Sequence, residues 1–435
     1  MNANANPTPE YLVEHLFRNY WGSAVASLVR QFGIQELDNI EDAVQESLLT
    51  ALKNWPLREI PQNPGGWLFT VARNRLFDNL RSQKQFTEES ESVGLDSDFA
   101  PYADTDTSRF RTEIPDDMLR MMVTLCDPCL SRESQCALTL QVACGFSAKE
   151  IAAAYFSREE TISKRITRAK QKLLENVDTS TEADIGQLES RIDSVLEVIY
   201  LLFNEGYSSH QDDRLIRYEL CAEALRLARL LLTSSAQNRP ELHALTALLC
   251  FQSARLPSRL GAFGELLLLE HQDRTLWDRQ LISEGLEHLQ DAATGQTLSR
   301  FHLEAGIAAT HATASTYEAT DWPRILFYYD RLLELQPEPM ILLNRLVALA
   351  MVNGPEVALE ELRSSQRLEQ VENHYLYHSV IADLYRRQGD YDAAMTHYRR
   401  ALTTAANPKE REFLHNRIEE CSPLAEVKDQ NRTRS

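Results

Sequence analysis

The chain is poor in the two residues that interrupt regular structure. It has 15 Gly and 16 Pro in 435 residues, few for a protein built on tight turns. Its long leucine- and alanine-rich stretches point instead to helices. The seven cysteines follow no framework spacing and are odd in number, which argues against a disulfide scaffold. No apolar run approaches a membrane span, so no membrane partner is expected. The opening MNANANPTPE lacks the basic and apolar segments of a secretion signal, and a reducing cytoplasm is the expected compartment. Also missing are a Gly-rich phosphate loop, a nucleophile beside a base and a paired metal-ligand motif. Enzymatic chemistry, a cofactor and a metal are therefore not expected.

What is present is charge, unevenly spread. The formal net charge is −19, which by itself argues against non-specific nucleic-acid binding. Residues 1–177 carry 19 Lys and Arg against 25 Asp and Glu, a balance of −6, and the remainder carries 26 against 39, a balance of −13. In the first part the bases gather at Arg73–Lys84 and Arg158–Lys172, with much of the acid between them in Glu88–Asp117. A protein that is acidic overall can still present basic contact faces.

Periodicity divides the first part into helices. Residues 1–9 read as a disordered tail. Leu12, Leu16, Tyr20, Ala24 and Leu28 mark a helix to Phe32. A second helix, about Asn39 to Trp55, has an apolar stripe and an outer face with Glu41, Asp42, Gln45 and Glu46. That face is either simply solvated or a docking face. A third, Trp67–Ser82, sets Leu68, Val71, Ala72, Leu76 and Leu80 on one side and Arg73, Asn74, Arg75, Asp78 and Arg81 on the other. It is a surface helix with a buried Trp, or a helix for phosphate contact, base-edge hydrogen bonding and stacking. Residues 84–113 form an acidic linker, and helices resume over 114–177. Cys126 and Cys129 make a CxxC with Cys136 and Cys144 nearby, but one pair is not a zinc set. Ser147 and Glu150 form a capping box. Beyond it a helix from about Glu159 to Leu174 turns Ile162, Ile166, Ala169 and Leu173 inward. Arg158, Thr161, Ser163, Lys164, Arg165 and Arg168 are left outward or flanking. An amphipathic pair with a solvated basic face and a DNA-reading helix-turn-helix both fit this division.

Three motifs in order carry a family resemblance: DAVQE (Asp42–Glu46), GWLFTVARNRLFDNLR (Gly66–Arg81) and the stretch Leu138–Leu173. Over about residues 9–177 the chain resembles bacterial RNA polymerase sigma factors of the extracytoplasmic-function (ECF) group. The resemblance implies a region 2 domain at 10–83 and a region 4 helix-turn-helix at 114–177. It implies that Asp42, Gln45 and Glu46 face the clamp helices of core RNA polymerase. Trp67, Arg73, Asn74, Arg75 and Arg81 would contact the −10 element of promoter DNA, and the loop Leu57–Pro64 would pocket a flipped base. Arg158, Thr161, Ser163, Lys164, Arg165 and Arg168 would read the −35 element. The linker would run through the polymerase channel otherwise taken by RNA. One departure is Phe156-Ser157, where the family often has Gly and an aliphatic residue in the turn.

The chain then continues for roughly 250 residues. Ala382, Tyr385, Gly389, Tyr391, Ala394, Tyr398 and Ala401 fall on tetratricopeptide (TPR) spacing, with Pro408 a little late. Trp322, Ile325, Tyr329, Leu332 and Pro337 fit an earlier copy. The expected layout is a helical extension over 187–300, TPR-like repeats over 301–425 and a polar tail over 426–435. The whole is all-α, and the solenoid offers a groove for a protein or peptide regulator. Tyr200–Tyr207 and Glu265–Trp277 stand out. A sigma subgroup with a TPR-like carboxy-terminal extension has similar stretches, and the extension is thought to regulate. Glu205, Glu265, Glu270, His271 and Asp273 suggest either buried polar packing or a metal or hydrolase site. The sequence thus describes a promoter-specificity subunit with a regulatory extension. The alternative is a helix-turn-helix regulator with a TPR-like sensor acting without being a sigma subunit.

Overall fold

The computed structural model describes residues 9–55, 60–88, 116–155, 157–177, 185–209, 215–262 and 264–432. The expected tail at 1–8, Leu57, Arg58 and Glu59 of the loop Leu57–Pro64, and linker residues 89–113 lie outside these, as does Phe156. Among the described residues the regular structure is helical, with one isolated bridge between Leu260 and Leu266. None of these helices is long and apolar enough to cross a membrane. The chain forms two compact units, Met1–Leu202 and Phe203–Ser435.

The first unit contains α1 (Pro9–Phe32), α2 (Leu37–Asn54), α3 (Pro64–Glu88), α4 (Asp117–Leu125), α5 (Arg132–Val142), α6 (Ala148–Ala154) and α7 (Glu159–Asn176). The helix α8 (Ile185–Tyr207) supplies its last element and, past Leu202, begins the second unit. Local chemistry sets the boundaries. Asn63 accepts from the Gly66 N–H at 2.9 Å and so caps α3, with Pro64 at the first helical position. Asp116 caps α4 through Leu119 N–H, and Ser131 caps α5. The capping box of α6 is complete: Ser147 Oγ accepts from Glu150 N–H at 3.2 Å, and Glu150 Oε2 accepts from Ser147 N–H at 2.8 Å. The third helix runs to Glu88, six residues past the expected end at Ser82. No Gly or Pro intervenes there to stop it.

Most of each stripe read from periodicity is buried, while Leu52, Val71 and Leu80 of those stripes are half-buried. Ile40, Ala43, Val44, Ser47, Leu48 and Ala51 of α2 are buried, as are Leu68, Ala72 and Leu76 of α3. Cys126 and Cys136 lie in the same interior; burial pushes the Cys126 thiol up to about 12, and its Sγ contacts Thr139 Oγ1 at 3.7 Å.

The second unit stacks α9 (Tyr218–Leu232), α10 (Pro240–Ala254), α11 (Arg279–Ala292), α12 (Arg300–Thr313) and α13 (Trp322–Leu335). It continues with α14 (Pro339–Asn353), α15 (Pro355–Ser364), α16 (Tyr375–Gln388), α17 (Tyr391–Thr404) and α18 (Pro408–Arg432). Ala382, Ala394, Tyr398 and Ala401 are buried together with Leu414 and Cys421, so the small-and-aromatic repeat pattern is packing. Ile325 does the same in the earlier helix pair, with Ile307 and Ala348.

The segment between α10 and α11 holds the stretch Glu265–Trp277, and its polar residues hold structure together. Trp277 is 2% exposed and donates to Ser258 Oγ at 2.7 Å, while the Arg274 guanidinium lies 4.4 Å from its ring. Glu270 faces Arg417 at 3.6 Å, Arg387 at 3.8 Å and Arg386 at 4.0 Å. Asp273 accepts from Thr275 N–H and so begins a short helical turn. Glu205, buried, accepts from Ser209 Oγ at 2.8 Å and stands 3.5 Å from Arg217.

Candidate nucleic-acid interface

The outward face of α2 carries Asp42, Gln45 and Glu46, all exposed. Their spacing of three and four residues sets them opposite the buried stripe. The neighbouring helix α3 exposes Arg73, Asn74 and Arg81. Arg75 is only half-buried because it reaches across to α2: one guanidinium nitrogen pairs with Glu46 and the other donates to Thr50 Oγ1 at 3.0 Å. Two residues with separate expected roles are thus joined. Trp67, at the head of α3, is half-buried, its ring 5.4 Å from that of the buried Trp55 and tilted by 56°. A ring braced along one side and reachable on the other suits stacking.

The second basic face is on α7. Ile162, Ile166, Ala169 and Leu173 are buried, while Arg158, Thr161, Ser163, Lys164 and Arg168 are exposed. Lys164 pairs with Glu160 one turn back at 2.8 Å. Arg165 is half-buried and pairs with Glu133 of α5 at 2.9 Å. In the turn, Ser157 N–H donates to Ala152 O at 2.8 Å. Ahead of α6, Gly145 has φ +69 and lies where a Cβ would come within 3.0 Å of the Trp21 ring. An L-residue is unfavourable there for both reasons.

The two basic faces belong to one packed unit. Trp21 Nε1 donates to Val142 O at 3.0 Å. Asp117 at the start of α4 accepts from Ser27 Oγ and Arg30, each at 3.0 Å. Gln35 donates to Leu174 O at 3.2 Å. Lys170 of α7 pairs with both Asp38 and Glu41 of α2. Burial works to lower the Lys170 pKa, but Glu41 and Asp38 outweigh it and hold the ammonium charged. A cleft of 610 Å³ opens beside this pair, lined by residues of α2, α5 and α7, Gln141 and Thr167 among them. By helical period alone Glu41 belongs only to a charged outer face. No local signal links it to Lys170, 129 positions away.

Comparison with known proteins fits this geometry. Residues 18–86 match the sigma-70 region 2 family, 191–293 match a family of unknown function, and 378–412 match a tetratricopeptide repeat. The chain is 36% identical over 400 residues to an uncharacterized protein of Rhizobium meliloti (strain 1021), covering 91% of this chain and 92% of that one. It is 31% identical over 157 residues to the ECF RNA polymerase sigma factor EcfG of Rhodopseudomonas palustris (strain TIE-1), covering 35% of this chain and 79% of that one.

Proposed function

This chain belongs to the sigma-70 family and carries a tetratricopeptide repeat, and from that premise we propose that it is an ECF-type sigma factor. It directs core RNA polymerase to specific promoters and helps open them, while the polymerase performs the covalent chemistry. The observation that carries this reading is the pair of solvent-facing basic helices, α3 and α7, in one unit. Asp42, Gln45 and Glu46 offer acid to the polymerase clamp. Arg73, Asn74 and Arg81, with Arg75 and Trp67, take the −10 element and its melted strand. Arg158, Thr161, Ser163, Lys164, Arg165 and Arg168 take the −35 major groove. The capped α6 supports α7 at its apolar side, as a helix-turn-helix requires. The second unit regulates the first through a protein or peptide bound on its helical repeats.

Run-off transcription with purified core polymerase tests this. Promoter-dependent transcripts should appear only when the protein is added. Binding to promoter fragments without core, and no initiation with it, would instead make this a conventional helix-turn-helix regulator.

A further inference from the structure

Outside the two basic faces, one group of side chains gathers ligand atoms at a point. His243 lies in the first turn of α10, and His288 and Asp291 lie three apart on one face at the end of α11. The two helices run antiparallel and very close. Gly285 makes this closeness tolerable, since a Cβ there would stand 2.8 Å from the Phe251 ring. The result is that His243 Nδ1 and His288 Nδ1 face each other at 3.1 Å. Asp291 Oδ2 stands 3.5 Å from the same His243 Nδ1. One ligand atom from each residue lies within 4.8 Å of the others.

The orientation of His243 is fixed from behind. Its Nε2 lies 2.8 Å from Gln237 O, and a carbonyl only accepts, so Nε2 carries the proton. In the neutral ring Nδ1 then presents its lone pair to the cluster, the arrangement found where a metal-bound histidine is held by a backbone carbonyl. A lone pair facing an imidazole nitrogen and a carboxylate oxygen together is an excess of acceptors over donors. One shared proton satisfies two of these atoms; a cation satisfies all three. In a tetrahedral site with bonds of about 2.0–2.1 Å, neighbouring ligand atoms stand roughly 3.3–3.4 Å apart, between the two distances observed. Of the neighbouring acids on α11, Glu284 is already engaged: it takes a two-pronged bond from Arg229 at 2.7 and 2.8 Å.

We propose that His243, His288 and Asp291 bind a divalent transition-metal ion of the zinc type and clamp α10 to α11. Two imidazole nitrogens and one carboxylate suit a borderline ion and disfavour magnesium or calcium, which take oxygen ligands. Asp291 is 59% exposed on its side chain, so the ion has a route in from solvent and a position left for water. The second unit thereby acquires an input distinct from any peptide on its repeats, and this inference stands whether or not the chain is a sigma factor.

A second imidazole pair provides an internal control. His378 and His397 also face each other through Nδ1, at 3.2 Å. Among the described residues only the His243 pair gathers a third ligand.

The experiment uses the full chain, stripped with a chelator and titrated with zinc against a chromophoric competitor. Cobalt absorption reports the ligand type. One zinc per chain is expected at this site, with a nitrogen- and oxygen-ligated cobalt spectrum and a zinc-dependent rise in Tm. Asp291→Asn, at an exposed position, and His288→Gln should each weaken binding at least about 100-fold, because even outer-shell changes cost 10–100-fold. His397→Gln should leave it unchanged. Zinc binding that persists in both Asp291→Asn and His288→Gln, a cobalt spectrum with thiolate character, or no zinc bound by the folded wild type would overturn the proposal.

Discussion

Arg168 stands out from α7 into solvent, whereas Arg165, three positions earlier, is engaged by Glu133. A base or phosphate must compete with that carboxylate for Arg165 and need not for Arg168. Arg168→Ala should therefore reduce promoter strength more than Arg165→Ala, by about 1–3 kcal/mol if it touches a base edge. Equal transcript levels for wild type and both variants would remove α7 from the promoter contact. A second expectation at this scale concerns His311 on α12. Burial, with Arg255 and Arg274 nearby, lowers its pKa to about 3. The unfolded chain binds a proton near pH 6.5 that the folded chain refuses, so stability is full above pH 6.5 and falls as pH drops toward 3. The slope contributed is about 1.4 kcal/mol per pH unit within that window. His311→Phe should flatten the urea midpoint of the second unit between pH 7 and 5; an unaltered slope would mean that other groups govern it.

Helix α6 has seven residues, too few to hold itself without its ends. Its capping box and the packing of Ile151 and Ala152 keep it in place under α7. Ser147→Ala should cost about 1 kcal/mol, read as a lower urea midpoint for the first unit. No change would show that α6 is held by packing alone. Between α2 and α7 the relevant contact is Lys170 with Asp38 and Glu41, where the Lys170 and Glu41 side chains are 16% and 19% exposed. Lys170→Ala leaves Glu41 largely shielded from water with no cation opposite. A loss of about 1–3 kcal/mol is expected, and Glu41→Gln in the same background should recover part of it.

Both basic helices and the acidic face of α2 lie in the unit Met1–Leu202. A chain ending after α8, at Tyr207, should thus start transcription at the same nucleotide as the full chain and differ only in amount. A shifted start site would mean that the second unit takes part in promoter choice. Length and the order of motifs make a two-part chain readable in the sequence with its divide at 177–187, whereas α8 carries the first unit on to Leu202. The inward and outward faces of α2, α3 and α7 were readable too, because a period of 3.6 assigns every residue a side once a helix is granted.

That is also the limit of what the sequence alone determined: the all-α class, the helix starts at Ser131 and Ser147, the packing role of Tyr398 and Ala401, and which residues face away from the core. It could not say which face meets which. Trp21 with Val142, Arg75 with Glu46 and Lys170 with Glu41 are contacts across 121, 29 and 129 positions, beyond any helical period. His243 and His288 look like two unremarkable surface histidines 45 positions apart. Only the close antiparallel crossing of α10 and α11 brings their nitrogens together. Local periodicity fixes a side chain's direction from its own helix axis, whereas a site built from several helices depends on crossing angle and register, which the packing of whole faces decides.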